Sequence, residues 1–84
     1  MAYQITLRKG AIKSLKKISE PYYSSIKEAI YRLAENPRPQ GCKKLKGRDG
    51  YRIRVADYRI IYDIFDDILQ VNVIDLGHRK DIYE

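Results

Sequence analysis

The chain is poor in the residues from which metal sites and disulfide frameworks are built. It contains one cysteine, Cys42, and one histidine, His78, among 84 residues. One cysteine excludes an internal disulfide and a cysteine-based metal cluster, and one histidine leaves too few ligands to complete a zinc site. We therefore expect a protein that uses no metal and no cofactor.

Long apolar runs are also missing. No stretch approaches the ~18 apolar residues that a membrane span needs. The first ten residues, MAYQITLRKG, lack the apolar segment of a signal peptide. The sequence therefore predicts a cytoplasmic protein that does not associate with a membrane.

What the chain has in excess is positive charge. Its composition, 44% hydrophobic and 33% charged, fits one small domain over residues 1–84. Residues 1–54 hold 14 basic and 4 acidic side chains, a net charge of +10, whereas residues 55–84 hold 3 and 7, a net charge of −4. A basic domain commonly binds a polyanion or an acidic protein, although solvated lysine-rich helices are common too.

The first half of the chain predicts a strand followed by two helices. Residues 3–7 alternate and carry aromatic and β-branched side chains, as a short strand does. Apolar residues then recur at helical spacing in two series, Ile12, Leu15 and Ile18, and then Tyr22, Ile26, Ala29, Ile30 and Leu33. Because the connection between the two series is short, we expect an antiparallel helical hairpin.

The second half predicts an antiparallel sheet. A loop over residues 37–50, rich in Pro, Gly and basic groups, contains a brief strand near residues 43–45. Three segments rich in Ile, Val and Tyr follow, at residues 51–55, 58–65 and 68–76, and two-residue turns connect them. The predicted fold class is therefore α+β: a strand, an antiparallel helical hairpin, and a three- to four-stranded antiparallel meander.

Three arginines are predicted to share one face of the meander. A two-residue turn at 56–57 places Arg54 opposite Arg59, and strand alternation puts Arg52 on the same face. Like charges that face one another across two strands destabilise a sheet. Guanidiniums suit a phosphodiester, because each presents a planar fork of donors and stays charged at cellular pH. The alternative is a solvated sheet face on which Arg52 and Arg54 pair with acidic residues, namely Asp49, Asp57 and Asp63.

The last strand is predicted to bring further groups to the arginines. A two-residue turn after the second strand of the meander places Ile74 beside Arg59, so that residues 77–79 emerge next to the cluster. His78 can transfer a proton near neutral pH, and Tyr83 can do so only with help from neighbouring cations. Each also has a structural interpretation, because a lone histidine is more often structural and a terminal tyrosine can pack against the core.

Three stretches of sequence are similar to a known toxin family. They are KLKG at residues 44–47, GYRIRVADYRIIY at residues 50–62 and GHRKDIY at residues 77–83. In this order and spacing they resemble the RelE branch of the RelE/ParE toxin superfamily, and the resemblance covers nearly the whole chain. It implies a type II toxin that cuts messenger RNA in the ribosomal A site, by attack of a ribose 2′-hydroxyl on the adjacent phosphate. It also implies a RelB-like antitoxin, partly disordered, that folds on binding.

The resemblance assigns roles to individual positions. It implies a catalytic set that comprises Arg52, Arg54, Arg59, Arg79 and Tyr83. Arg59 matches the arginine that contacts the scissile phosphate, whereas Arg52 and Arg54 stand where the best-known members carry lysine. The interval from Arg79 to Tyr83 is shorter than in those members. His78 is expected to contact RNA or assist catalysis, and the basic loop is expected to bind RNA through Lys43, Lys44, Lys46 and Arg48.

Two other functions are compatible with the sequence. ParE-like relatives share the fold but inhibit DNA gyrase and need no nuclease site, although the arginine cluster argues against that function here. A plain RNA-binding protein would hold phosphates without cleaving them. Cleavage of a message in a translating extract separates the first function from both alternatives.

Overall fold

The computed structural model describes residues 2–78, which form five strands and two helices. In chain order these elements are β1 (Gln4–Leu7), α1 (Lys9–Lys16), α2 (Tyr22–Arg32), β2 (Lys43–Lys44), β3 (Tyr51–Val55), β4 (Tyr58–Phe65) and β5 (Gln70–His78). They build one sheet in the order β1-β5-β4-β3-β2. The predicted α+β class and the order of elements are confirmed.

The first strand joins the meander and makes a fifth strand of the same sheet. It runs parallel to β5, with Ile5 opposite Val71 and Leu7 opposite Val73. Parallel neighbours need a long crossover, and here both helices and the other three strands supply it. The sheet therefore has more strands than the predicted meander, and the order of the strands in the sheet differs from their order along the chain.

One face of the sheet is covered by the two helices, with α1 against β5 and α2 against β3. The buried core between them comprises Ala11, Ile26, Ile30, Leu33, Ile53, Ile60, Tyr62, Val71, Val73 and Leu76. On α1 the predicted apolar series needs one correction, because Ala11 is buried and Ile12 is 41% exposed. The buried side of this helix runs through Ala11, Leu15 and Ile18.

The turn between β3 and β4 has the predicted length. Residues 56 and 57 connect the strands, so that Arg54 lies opposite Arg59 and Arg52 opposite Ile61. Ala56 takes a positive φ of 53°, as tight hairpin turns require. The predicted register of this hairpin is therefore confirmed.

The turn between β4 and β5 is longer than predicted. Phe65 pairs with Gln70, so the chain reverses over residues 66–69 rather than 66–67. Leu69 ends this turn with a positive φ of 51°. The strand consequently starts at Gln70, two residues beyond its predicted start at Ile68.

A bulge in β5 moves the register once more. The pairing shifts between Ile61 and Tyr62 of β4, which leaves Ile74 as an extra residue on β5. The predicted neighbour of Arg59 was Ile74, and this prediction is wrong because the longer turn and the bulge shift the pairing. Arg59 instead lies opposite Gly77. Bulges of this kind re-aim the side chains that follow them.

A cluster of polar and aromatic side chains fixes the loop that leads into β2. Arg38 donates to Asp66 at 2.9 Å between Nη2 and Oδ2, and the Tyr3 hydroxyl donates to Asp66 Oδ1 at 2.6 Å. The same guanidinium lies 5.2 Å from the ring centroid of Tyr51. The hydroxyl of buried Tyr62 donates to the carbonyl of Pro37 at 2.7 Å. The loop is therefore held by contacts with β3, β4 and the β4–β5 turn.

Candidate functional site

The face of the sheet away from the helices carries four basic residues on three adjacent strands. Lys43 of β2 lies opposite Arg52 of β3, and Arg54 of β3 lies opposite Arg59 of β4. Residues opposite one another in an antiparallel pair have Cα atoms only ~4.5–5.5 Å apart. We call these four residues the basic face. Their positions follow from strand alternation, because Tyr51, Ile53 and Val55 of β3 pack on the helix side.

Like charges are adjacent in both pairs of the basic face. Among residues 2–78, Arg54 forms no ion pair, so the pairing with Asp49, Asp57 or Asp63 that the alternative of a solvated sheet face implies is not found for this residue. Arg54 is exposed to solvent. Two cations opposite each other lower the stability of a sheet, and an anionic ligand would relieve this repulsion.

Arg52 is the most buried residue of the basic face. It is 8% exposed, and its cross-strand neighbour Ile61 is 1% exposed. A long arginine side chain can bury its aliphatic stem beside apolar groups while its guanidinium serves polar contacts. Arg52 is thus the buried member of the basic face, whereas Arg54 is exposed to solvent.

Glycine at position 77 shapes the surface beside the basic face. Gly77 is the cross-strand partner of Arg59, which in turn lies between Gly77 and Arg54. Gly77 itself therefore places no side chain beside Arg59 on this strand. Sequence reasoning missed this role, although a glycine inside a strand pattern is a known signal of close approach by a ligand or a backbone.

The predicted RNA-binding residues of the loop are divided by the structure. Lys43 belongs to the basic face, whereas Lys44 lies opposite Tyr51 and so alternates to the other side of β2. Lys46 and Arg48 lie in the exposed loop between β2 and β3. Gly50 ends that loop with a φ of +126°, and a Cβ there would approach Leu45 Cδ1 to 3.0 Å.

His78 is not on the basic face. Its ring meets the ring of Tyr58 edge-on, with centroids 5.7 Å apart and an interplanar angle of 76°. Tyr58 packs against the core, so His78 faces the helix side of the sheet. Arg79 and Tyr83, the other two predicted catalytic residues, lie outside the described residues.

Two further properties of residues 2–78 bear on the site. None of the helices in this part of the chain is both long and apolar enough to cross a membrane. Nor does this part bring three or more His, Cys, Asp or Glu side chains together as metal ligands. What the basic face offers to a ligand is positive charge and a dense set of hydrogen-bond donors.

The sequence and the fold match those of known toxins. The profile of the family described as ParE toxin of type II toxin-antitoxin system, parDE, matches residues 5–83. The mRNA interferase toxin RelE of Escherichia coli strain K12 is 30% identical over 83 residues, which cover 95% of this chain and 86% of the relative. The chain therefore belongs to the ParE toxin family of type II toxin–antitoxin systems, on its RelE-like branch.

Solved structures agree with this assignment. The archaeal RelE–RelB complex from Pyrococcus horikoshii OT3 contains a chain that superposes with a TM-score of 0.84 at 27% identity, covering 98% of this chain and all of that one. A chain of the intact E. coli RelBE toxin–antitoxin complex superposes with a TM-score of 0.80 at 29% identity, covering 92% of this chain and 96% of that one. Both relatives are structures of a toxin with its antitoxin.

Proposed function

We propose that this toxin is an endoribonuclease that cuts messenger RNA in the ribosomal A site, without a metal. The observation that carries the proposal is the basic face, where Arg54 lies opposite Arg59 and Lys43 opposite Arg52. A scaffold selected for stability alone disfavours such pairs, whereas a site for a phosphodiester favours them. The relative named mRNA interferase toxin RelE supports the same activity.

The proposed reaction is a transesterification within the RNA chain. The 2′-oxygen forms a bond to the adjacent phosphorus, and the bond from phosphorus to the 5′-oxygen of the next nucleotide breaks. The proton of the 2′-hydroxyl leaves with a base, and the departing 5′-oxygen gains a proton. The products are a 2′,3′-cyclic phosphate and a free 5′-hydroxyl. Negative charge grows on the phosphoryl oxygens during this step.

The side chains of the basic face fit the stabilisation of that charge. Arg59 would hold the scissile phosphate, with Arg54 on the neighbouring strand on one side and Gly77 on the other. Arg52 would act from the buried part of the face. Preorganised cations at developing charge are usually the largest contribution to catalysis of this kind. From their positions in the sequence, Arg79 and Tyr83 would complete the set.

The proposed dependence of cleavage on the ribosome follows from the chemistry that the side chains of the basic face can supply. Arginine is a weak general base because it stays protonated at cellular pH, so the basic face supplies charge rather than proton transfer. Holding a reactive group and its target in line can lower a barrier by about 7–11 kcal/mol. We propose that the ribosome provides this alignment of the message, and that free RNA is cut poorly. The toxin would then act in the cytoplasm, where translation takes place.

The proposed partner is an antitoxin encoded with the toxin. Relatives of this chain are seen in complexes named RelE–RelB and RelBE. A RelB-like chain that is partly disordered when free could wrap this domain and fold on binding. Acidic groups of that chain would also neutralise the positive charge of the basic face.

Inhibition of DNA gyrase is the second candidate function, favoured by the match to the ParE family. Expression of the protein in a translating extract that also contains supercoiled plasmid separates the two. We expect cut message and unchanged plasmid supercoiling. Intact message with altered supercoiling would overturn the nuclease proposal, and intact message with retained RNA binding would favour a plain RNA-binding protein.

A further inference from the structure

The sheet face that carries the arginines also carries a carboxylate, on strand β5. Asp75 lies opposite Ile61 of β4, and Ile61 lies opposite Arg52 of β3. Residues that face one another across adjacent strands project on the same side of a sheet, and so do residues two apart along one strand. Asp75 therefore shares its side of the sheet with both Arg52 and Arg59.

Asp75 is a diagonal neighbour of Arg59. Gly77 lies directly opposite Arg59, and Asp75 precedes Gly77 by two residues on the same strand. Diagonal neighbours of this kind have Cα atoms about 7–8 Å apart, a separation that long side chains can span. A ribose attached to a phosphate on Arg59 can therefore reach the Asp75 carboxylate.

The backbone around Asp75 aims and holds its side chain. The extra residue of the β5 bulge, Ile74, comes immediately before Asp75, and bulges beside active sites re-aim side chains. The Oδ1 atom of Asp75 accepts a hydrogen bond from the Leu76 backbone N–H at 2.9 Å. A carboxylate has about four acceptor sites, so this bond leaves acceptor capacity for a substrate.

No structural ion pair occupies the Asp75 carboxylate. Among residues 2–78, ion pairs join Arg32 to Glu28 and Arg38 to Asp66, and neither includes Asp75. The residue is also exposed to solvent. A carboxylate repels the phosphates that the neighbouring arginines attract. A surface that only held RNA would gain nothing from Asp75, whereas a surface that also performs chemistry would.

The other groups on this face are poorly suited to take a proton beside Arg59. The members of the basic face are cations, which have no free lone pair at neutral pH. Asp63 lies on the same face, but it is four residues from Arg59 on β4, roughly 13 Å along a strand. His78 faces the helix side. Among the described residues, Asp75 is thus the proton acceptor best placed beside Arg59.

We propose that the Asp75 carboxylate is the general base that removes the proton from the attacking 2′-hydroxyl. This inference rests on the proposed function and deepens it, because it names a group whose chemistry the arginines cannot supply. The 2′-oxygen bonds to the phosphorus held at Arg59 while its proton passes to Asp75. The bond from phosphorus to the 5′-oxygen breaks, and that oxygen takes a proton from water. Asp75 then returns its proton to water, which restores the carboxylate.

The kinetics of Asp75→Asn test the proposal. The substitution keeps an oxygen that can accept from the Leu76 N–H, but it removes the negative charge and the basic site. Primer extension at a series of concentrations of ribosome-bound message gives kcat and KM. We expect kcat to fall at least ~100-fold, while KM stays the same or falls because a charge that repels phosphate is gone. A wild-type kcat, or a loss confined to KM, overturns the proposal.

Asp63→Asn is the matched control. It removes the same charge from the same face of the sheet, at a position opposite Asn72, and it should cut with the wild-type kcat. Thermal melts show that both variants are folded. Equal losses of kcat in the two variants would indicate a general effect of charge on this face and would contradict the assignment of Asp75 as the base.

The pH dependence of cleavage separates a base from a residue that only orients the RNA. Carboxylates are ionised between about pH 6 and pH 8, whereas a variant without the base depends on hydroxide. We therefore expect the ratio of wild-type to Asp75→Asn kcat to fall about tenfold per pH unit. A ratio that stays constant with pH overturns the proposal.

Other charged groups near Asp75 do not affect this comparison. They are Arg52, Arg59 and Asp63 on the same face, together with Lys17 of α1 and His78 of β5, which line a cavity with Asp75 at this end of the sheet. Both proteins contain all of these groups, so their titration cancels in the ratio.

Cleavage by the wild type keeps this inference separate from the nuclease proposal. If the wild type cuts and Asp75→Asn cuts equally well, Asp75 is not the base and the nuclease proposal stands. If the wild type cuts no ribosome-bound message, both proposals are overturned.

Discussion

Single side chains of this domain carry either stability or function, and Tyr62 illustrates the first. Its side chain is fully buried, and its hydroxyl donates to the Pro37 carbonyl at 2.7 Å. Burial, together with the neighbouring Cys42, raises the pKa of Tyr62. The hydroxyl therefore stays protonated and remains a donor at any physiological pH.

We expect Tyr62→Phe to destabilise the domain by about 1 kcal/mol, because the Pro37 carbonyl loses its donor. For a domain of this size the melting temperature should fall by about 4–8 °C. Tyr31→Phe is the matched control, since Tyr31 is 60% exposed and its melting temperature should not change. A Tyr62→Phe variant as stable as the wild type would show that the buried hydrogen bond contributes nothing net.

The shared face of Arg52, Arg54 and Arg59 could be predicted from the sequence, whereas the position of His78 could not. A two-residue turn fixes the register of the strands that flank it, so the pairing of Arg54 with Arg59 followed directly. The position of His78 depends on the longer turn and on the bulge at Ile74. Neither feature has a sequence signal as strong as a two-residue turn, because Asp66 and Asp67 suit a short turn as well as a longer one.

At the scale of elements, the Arg38 and Asp66 pair ties the loop before β2 to the β4–β5 turn. Hydrogen bonds from Arg38 and then from Tyr3 hold the pKa of Asp66 below its usual range. A carboxyl group whose pKa is lower in the folded state stabilises the fold above the unfolded-state pKa of about 3.9. That stabilisation is lost as the pH falls through the folded-state pKa.

We therefore expect the free energy of unfolding of the wild type to fall more steeply between about pH 5 and pH 2 than that of Asp66→Asn. This acidic window spans about three pH units. Urea unfolding at a series of pH values measures the difference. Asp67→Asn, in the same turn, should keep the steep wild-type profile. Parallel profiles for wild type and Asp66→Asn would contradict a role for this pair in acid stability.

The order of elements was predictable and the placement of β1 was not. Local periodicity defines each helix and strand within a few residues. The partner of β1 is decided by contacts between Ile5 and Val71 and between Leu7 and Val73, which lie more than sixty residues apart in the sequence. No local pattern specifies such a pairing, since several apolar strands could accept the same edge.

At the scale of the whole molecule, the chain has a net charge of +6, and the basic face gathers four of its cations on one side of the sheet. We expect the adjacent gene product to bind this toxin, with a negative heat-capacity change as apolar groups are buried and the partner folds. Association should slow as salt increases, because charge steers the encounter. Calorimetry and stopped-flow mixing measure both effects.

The same partner should restore growth when it is produced together with the toxin. A neighbouring gene product that neither binds nor rescues growth would remove the support for regulation by an antitoxin. Binding without any salt dependence would instead show that the partner avoids the basic face. Either result would leave the nuclease proposal itself to be decided by cleavage.

The most direct measurement is cleavage of a translated message by Arg59→Ala beside the wild type. Primer extension with the wild type should show stops in the A site, and these stops should disappear when ribosomes are omitted. Cleavage by Arg59→Ala and by Arg79→Ala should be at least ~100-fold slower than cleavage by the wild type. Arg32→Ala, which removes an exposed cation on α2, should cut at the wild-type rate. The melting temperatures of the Arg59 and Arg32 variants should match that of the wild type. Wild-type cleavage by a folded Arg59→Ala variant, or equal cutting of naked RNA, would contradict the account.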